Sequence, residues 1–241
     1  MTENLFIKNV PEAFSTKRMN EDYICIICGW RFKQFLDTDY SYGHIYRNSR
    51  CPVCGSQPRH RTLYLYLKHT LPRNKRIKLL DFSPYIRLYQ YLKTCSNVDY
   101  IAVDINPQDN NIKKENITRL SFKKNAFDVI LCAHILEHVE NDIKAMSELY
   151  RVLKEGGSCI ISVPVDYTKD KTFEDQAITS PEERTKKFWG FDHVRLYGKD
   201  IKNRLENVGF KVDLANIADF TEKENIRRYG MVEVPFYLCA K

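Results

Sequence analysis

Between residues 78 and 163 the chain repeats one pattern, a short apolar run bounded by polar or turn residues followed by a stretch with helical periodicity. KLLDF (78–82), DYIAVD (99–104), FDVILC (127–132) and SCIISV (158–163) are the apolar runs. Each has the length of one strand buried on both faces. Between the last two, Ile143, Met146, Leu149, Tyr150 and Leu153 recur at helical spacing, with Asn141 or Asp142 as cap and Gly156 of KEGG as stop. Strands alternating with helices predict an α/β fold, a mostly parallel sheet covered on both faces. At the C-terminus GFKVDLANI and VEVPFYLCAK follow one another with no long helix between them. They predict an antiparallel pair at the sheet edge.

Ahead of this region stand two cysteine pairs, Cys25-x2-Cys28 and Cys51-x2-Cys54, each followed by a glycine, Gly29 and Gly55. Each such turn supplies two thiolates to a tetrahedral zinc, and the glycine lets the chain fold back beneath the metal. Four sulfur ligands leave no open position, so the expected zinc is structural. Trp30 to Phe35 and Tyr42 to Tyr46 are aromatic enough for the strands of a ribbon. Leu63, Tyr66, Leu67 and Thr70 then mark a helix joining the ribbon to the rest. The expected organisation is a lead at 1–24, a zinc ribbon at 25–58 and the α/β domain at 59–241.

Ligands of an open α/β sheet lie beyond the carboxyl ends of its strands, near the point where strand order reverses. Asp81, Asp104, Asn116 and the residues after Cys132 fall there, and Asp104 is placed to accept bonds from ribose hydroxyls. A dinucleotide fold needs glycines after its first strand, whereas this chain has none from residue 56 to 155. Nicotinamide cofactors are therefore disfavoured against a nucleoside ligand without a pyrophosphate. Ser83 and Pro84 are read as the cap and first residue of the following helix.

The strings LLDFSP, YIAVDINP, NITRLSFKKNAFDVILCAHILEHV and MSELYRVLKEGGSCIISVP, in this order, resemble the successive motifs of class I S-adenosylmethionine-dependent methyltransferases. CPVCGSQPRHR is similar to a cysteine-containing segment ahead of that domain in some bacterial members. The resemblance implies a Rossmann-like seven-stranded sheet, mostly parallel with an antiparallel C-terminal edge strand, beside a small zinc ribbon. It also implies a methyl transfer from S-adenosylmethionine. Asp81, Phe82 and Ser83 would line the methionine part of that cofactor, Asp104 and Ile105 its ribose and adenine. Asn116 and Ile117 would flank the adenine, and Cys132, Ala133 and His134 would border the methyl group. In place of the family's glycine-rich first loop stands SPYIR, and Asn116 occupies a position where aspartate is common.

His134-Ile-Leu-Glu137-His138 also has the spacing of an inverted zinc-peptidase motif, but it directly follows an apolar strand, which is the methyltransferase order. His134 and His193 are the candidate catalytic bases. Residues 164–199 form a long charged excursion ending in KKFWGFDHVRLYG, expected to be a lid or binding loop. There Trp189, Asp192 and Arg195 are candidates for acceptor binding, with Phe191 and Tyr197 as an apolar wall. Arg59, His60 and Arg61 are read either as a solvated helix start or as a substrate or nucleic-acid contact.

No run approaches the roughly 20 apolar residues of a membrane helix, and the N-terminus lacks the features of a signal peptide. A cytoplasmic location is expected. Lys and Arg number 38 against 31 Asp and Glu, a net charge of +7 spread along the chain. That balance permits RNA without indicating it. The expected acceptor is a small molecule or sugar-containing intermediate, the alternatives being RNA docked by the zinc module or a noncatalytic binding protein.

Overall fold

A computed structural model describes residues 23–39 and 45–241. The described residues pack as two compact units, the first holding 23–39, 45–71 and 217–234, the second 72–216 and 235–241. The expected boundary at 58/59 therefore differs from the packing, which keeps the joining helix and a distant C-terminal segment with the cysteine module.

In the first unit β1 (Tyr23–Ile24) pairs antiparallel with β2 (Arg31–Phe32), and β3 (Leu36–Asp39) with β4 (Ile45–Arg50). The expected strand Trp30–Phe35 is shortened to two residues for a packing reason. Residues 32 and 35, an odd spacing, would point to opposite faces of a straight strand. A bend after Phe32 brings both rings inward, edge to face at 4.7 Å. Of the expected strand Tyr42–Tyr46, residues 42–44 lie outside the described residues, as do 1–22 of the expected lead. Helix α1 (Pro58–Thr70) starts with proline in its first turn. Its Leu65 packs against Ile217, Ile226 and Met231 of the returning segment.

The second unit is built on a seven-stranded sheet. Along the chain come β5 (Ile77–Phe82), α2 (Ile86–Thr94), β6 (Val98–Asp104), β7 (Lys113–Lys114), β8 (Phe127–Ala133), α3 (Asp142–Val152) and β9 (Leu153–Ser162). Then follow β10 (Phe173–Glu174), α4 (Pro181–Phe188), β11 (Arg195–Leu196), α5 (Ile201–Val208) and β12 (Lys211–Ala215). After the first-unit segment with α6 (Lys223–Arg228), β13 (Phe236–Ala240) ends the sheet. The strand order is β12-β13-β9-β8-β5-β6-β7, parallel except for β13, which runs against both β9 and β12. The two C-terminal runs thus form the expected antiparallel pair at one edge, with β12 outermost. From β5 the chain turns to β6 on one side and later to β8 on the other, so the switch point lies at the end of β5.

The core joins Leu80, Val103, Ile130 and Ile161 from the strands to Met146 and Leu149 of α3 and Leu205 of α5, all at most 0% exposed. Asn141 caps α3, its side chain accepting from Lys144 N at 2.9 Å. The helix ends at Val152, four residues before the expected stop. Leu153–Glu155 is already in β9, and Gly156 (φ +71) takes a left-handed turn as the pairing with β8 shifts register. A second difference lies after β5, where α2 begins at Ile86 instead of Pro84. Ser83 is left-handed (φ +50) and cannot be a helix cap. The 164–199 excursion holds the hairpin-like pair β10/β11 and the helix α4, which Ser180 caps at Glu183 N.

Candidate functional site

At the switch point Asp81 lies one residue before the end of β5, with its carboxylate buried and its Oδ2 accepting from Tyr100 Oη at 2.8 Å. Burial pushes its carboxyl up to about 7, with the Tyr100 hydroxyl pulling partly back. The left-handed turn at Ser83 aims the side chain across to β6, where its hydroxyl donates to Asp104 Oδ2 at 2.7 Å. Asp104 Oδ1 accepts from Asn106 N at 2.8 Å. Each oxygen keeps a further lone pair, and Asp104 is only half-buried, so a ribose diol fits this carboxylate. Beside it Ile105 is 63% exposed, an unpacked apolar side chain where an adenine face would be covered.

The remaining expected cofactor residues divide into two groups. Phe82, Ile117 and Cys132 are buried in the core, so their side chains cannot line an open crevice and only their backbone can face a cofactor. Asn116 is exposed, but its Oδ1 accepts from Thr118 N and Oγ1 and shapes a turn. Ala133 ends β8 half-buried.

Beyond β8 the chain turns sharply at His134 (φ +55), whose N–H donates to Ser162 O at 2.8 Å. The turn sets His134 Nδ1 3.1 Å from Oε1 of Glu137, a side chain only 1% exposed. Burial alone would raise the Glu137 carboxyl, but the His134 contact and the fields of His134 and His138 outweigh it and hold it below the ordinary range. His193 comes in from the excursion, its Nδ1 2.7 Å from Phe188 O and its ring edge to face with His138 at 4.8 Å. Burial lowers His193 from the usual imidazole value, with Glu137 opposing. The structure thus brings the two expected histidines to one neighbourhood, together with Glu137, whose burial a polar string did not reveal.

The expected acceptor residues fare differently. Trp189 is 40% exposed at the left-handed end of α4, and Asp192 holds His138 Nδ1 at 3.3 Å from its Oδ2. Arg195 must be corrected, since its side chain is 2% exposed and cannot reach an acceptor. Its guanidinium donates to the carbonyls of Leu136, Val139 and Glu140 and to Glu174, fixing the turn after β8. Tyr197 is also buried, bonding Asp142 Oδ2 at 2.9 Å, and forms no wall.

In the first unit the four cysteines converge. Gly29 N bonds Cys25 O and Gly55 N bonds Cys51 O, two matching turns with positive φ at each glycine. Cys25 Sγ lies 3.6 Å from Cys54 Sγ, and Cys28 Sγ 3.8 Å from Cys51 Sγ. Zinc–sulfur bonds of about 2.3 Å make a tetrahedron with edges of about 3.8 Å, which these distances fit, whereas a disulfide needs about 2.05 Å. The Ser56 hydroxyl touches Cys25 Sγ at 3.2 Å and Cys54 Sγ at 3.3 Å, an outer-sphere partner. Arg61 is fully buried, so both readings of it as a solvated or ligand-contacting residue are replaced. It donates to the carbonyls of Ser49, Ser56 and Gly230.

With this geometry in view, the profile of the methyltransferase domain family matches residues 57–215. The chain belongs to the methyltransferase domain family. Among curated relatives, uncharacterized protein MJ0638 of Methanocaldococcus jannaschii is 32% identical over 106 residues, 44% of this chain and 40% of that one. A demethylmenaquinone methyltransferase of Bacteroides fragilis is 46% identical over 48 residues, 20% of each chain. The chain spans about half or less of the length of the curated relatives it matches. A solved SAM-dependent methyltransferase from Archaeoglobus fulgidus superposes with a TM-score of 0.52 at 15% identity, covering 77% of this chain and 95% of that one. A chain from the complex between the Haloferax volcanii Trm112 methyltransferase activator and a methyltransferase gives 0.52 at 13% identity, covering 76% and 90%. These likenesses establish the methyltransferase fold.

Proposed function

We propose that the chain is an S-adenosylmethionine-dependent methyltransferase acting on a small molecule or sugar-containing intermediate, with a structural zinc in its cysteine module. The observation that carries the reading is the carboxylate of Asp104, open to a diol at the switch point of a methyltransferase fold and flanked by the exposed Ile105. When bound, S-adenosylmethionine supplies a methyl group on a sulfonium, already a good leaving group. The protein's contribution is then alignment and exclusion of water. Asp104 would hold the ribose hydroxyls, Ile105 would cover the adenine, and Asp81 would face the cationic amino-acid end. Glu137, facing His134 Nδ1, favours the proton on that nitrogen and leaves Nε2 to take a proton from an acceptor hydroxyl or amine. The four thiolates of Cys25, Cys28, Cys51 and Cys54 supply a closed donor set for zinc.

Calorimetric titration with S-adenosylmethionine tests the reading, with NAD as control and Asp104→Ala beside the native chain. Two charge-assisted bonds of about 1.5–3 kcal/mol each, made to the lone pairs that the Ser83 and Asn106 bonds leave open, predict a loss of about a hundredfold or more. Absence of binding at millimolar S-adenosylmethionine refutes the enzyme and leaves a noncatalytic zinc-bearing protein.

A further inference from the structure

We infer that Glu137, His138 and His193 form a second metal centre, a site for a first-row divalent cation beside the methyl-transfer crevice and separate from the cysteine module. Their candidate ligand atoms all lie within 4.8 Å of one another. A cation with bonds of about 2.1 Å holds tetrahedral donors about 3.4 Å apart, so the side chains close by an ångström or so on loading. His138, 35% exposed, has room to move.

Three further observations point to a ligand here. Glu137 is 1% exposed, and its one close polar partner among the described residues is His134 Nδ1, 3.1 Å from Oε1 and outside good hydrogen-bond alignment. A buried anion left in that state is costly unless a cation meets it. Oε1 faces His134, and Oε2 remains to bind a metal. Second, both histidines have Nδ1 engaged by an outer acceptor, His138 by the Asp192 carboxylate at 3.3 Å and His193 by the Phe188 carbonyl at 2.7 Å. This is the arrangement that fixes the tautomer of a metal-binding imidazole and presents Nε2 to the ion. Third, Gly190 makes space for the His193 ring. A Cβ there would stand 2.4–2.7 Å from three atoms of that ring.

Two imidazoles and one carboxylate suit manganese, iron, cobalt, nickel or zinc better than magnesium or calcium. Three protein ligands leave positions open for oxygen atoms. That an acceptor hydroxyl occupies one of them rests on the methyltransferase reading above. Bound there, it becomes more acidic. On transfer the sulfonium–methyl bond breaks, the oxygen–methyl bond forms, S-adenosylhomocysteine departs and the hydroxyl proton goes to His134.

The test is a manganese(II) titration of the full zinc-loaded chain, followed by electron paramagnetic resonance, since manganese does not displace zinc from thiolates. One manganese per chain with a submillimolar Kd is expected, weakened at least tenfold in Glu137→Gln, His138→Gln and Gly190→Ala. Asp192→Asn, a positioning change, should also weaken it and alter the spectrum. The more exposed His138 variant decides the matter should the buried Glu137 variant fail to fold. Absence of stoichiometric manganese at millimolar concentration overturns the site, as does an affinity unchanged by all four substitutions. A chain that binds manganese but not S-adenosylmethionine keeps this site and refutes the methyltransferase reading; the converse refutes the site alone.

Discussion

Replacing Arg61 by methionine keeps an unbranched apolar stem on α1 and removes only the guanidinium. In the native chain NH2 lies 2.7 Å from Ser49 O and 2.6 Å from Gly230 O, and NH1 lies 2.5 Å from Ser56 O. The guanidinium carbon sits 4.1 Å from the centre of the Phe35 ring. Three hydrogen bonds from a charged donor are worth about 1.5–3 kcal/mol each. Against this stands the desolvation of the buried cation, several kcal/mol. Removing the donor leaves three carbonyls unsatisfied at about 1–3 kcal/mol each, partly offset because the cation is no longer buried, for a net cost of about 3–5 kcal/mol. Ser49 and Ser56 bracket the second cysteine pair, and zinc binding is coupled to folding of its module. The loss should therefore appear as zinc affinity weakened about a hundredfold to a few thousandfold. Competition with a chromophoric chelator measures it, with Arg59→Met as the control on the same helix. Zinc affinity within threefold of native in Arg61→Met would refute the argument that this side chain holds the knuckles together.

Asp81 carries a pH dependence. Its folded value of about 7 is above the unfolded one, so the stability contributed by the neutral carboxyl is complete below about 4 and is lost as pH rises through about 7. Asp81→Asn should thus raise the melting temperature at pH 8 and leave it nearly unchanged at pH 4, and equal shifts at both would contradict the assignment. Because a cationic ligand favours the ionised carboxylate, S-adenosylmethionine affinity should rise from pH 6 to 8 with proton release, which calorimetry in buffers of different ionisation enthalpy detects. Asp142, buried and 2.9 Å from Tyr197 Oη and 3.1 Å from Arg204 Nη2, should cost about 3–5 kcal/mol as Asp142→Ala by urea unfolding, against no measurable change for the exposed Asp170→Ala.

The four central strands were legible because runs such as FDVILC are apolar at successive positions, which only a strand covered on both faces tolerates. Strand β7 was not, since two exposed lysines at an edge leave no apolar pattern to read. Helix α4 had a signal, Ser180 before Pro181, that its charged flanks obscured. The convergence of the four cysteines was readable from spacing because a turn of two intervening residues brings a pair of sulfurs together. The placement of Arg61, Glu137 and Arg195 was hidden for the opposite reason. Each is a charged residue whose neighbours in sequence do not reveal its burial, which tertiary packing decides. Arg195, for example, is held by the carbonyls of residues 136–140.

The return of residues 217–234 to the cysteine unit has a bearing on synthesis. Arg61 and the Gly230 carbonyl it grips are 169 positions apart, so a ribosome delivers the four cysteines long before the segment that closes around them. A nascent chain that binds metal through these cysteines keeps its knuckles loosely held until residues 217–234 have emerged. Shortened gene fragments ending after α1 would accordingly yield a metal-binding peptide lacking its native stability, and shuffling this module between proteins requires moving two separated stretches of coding sequence together.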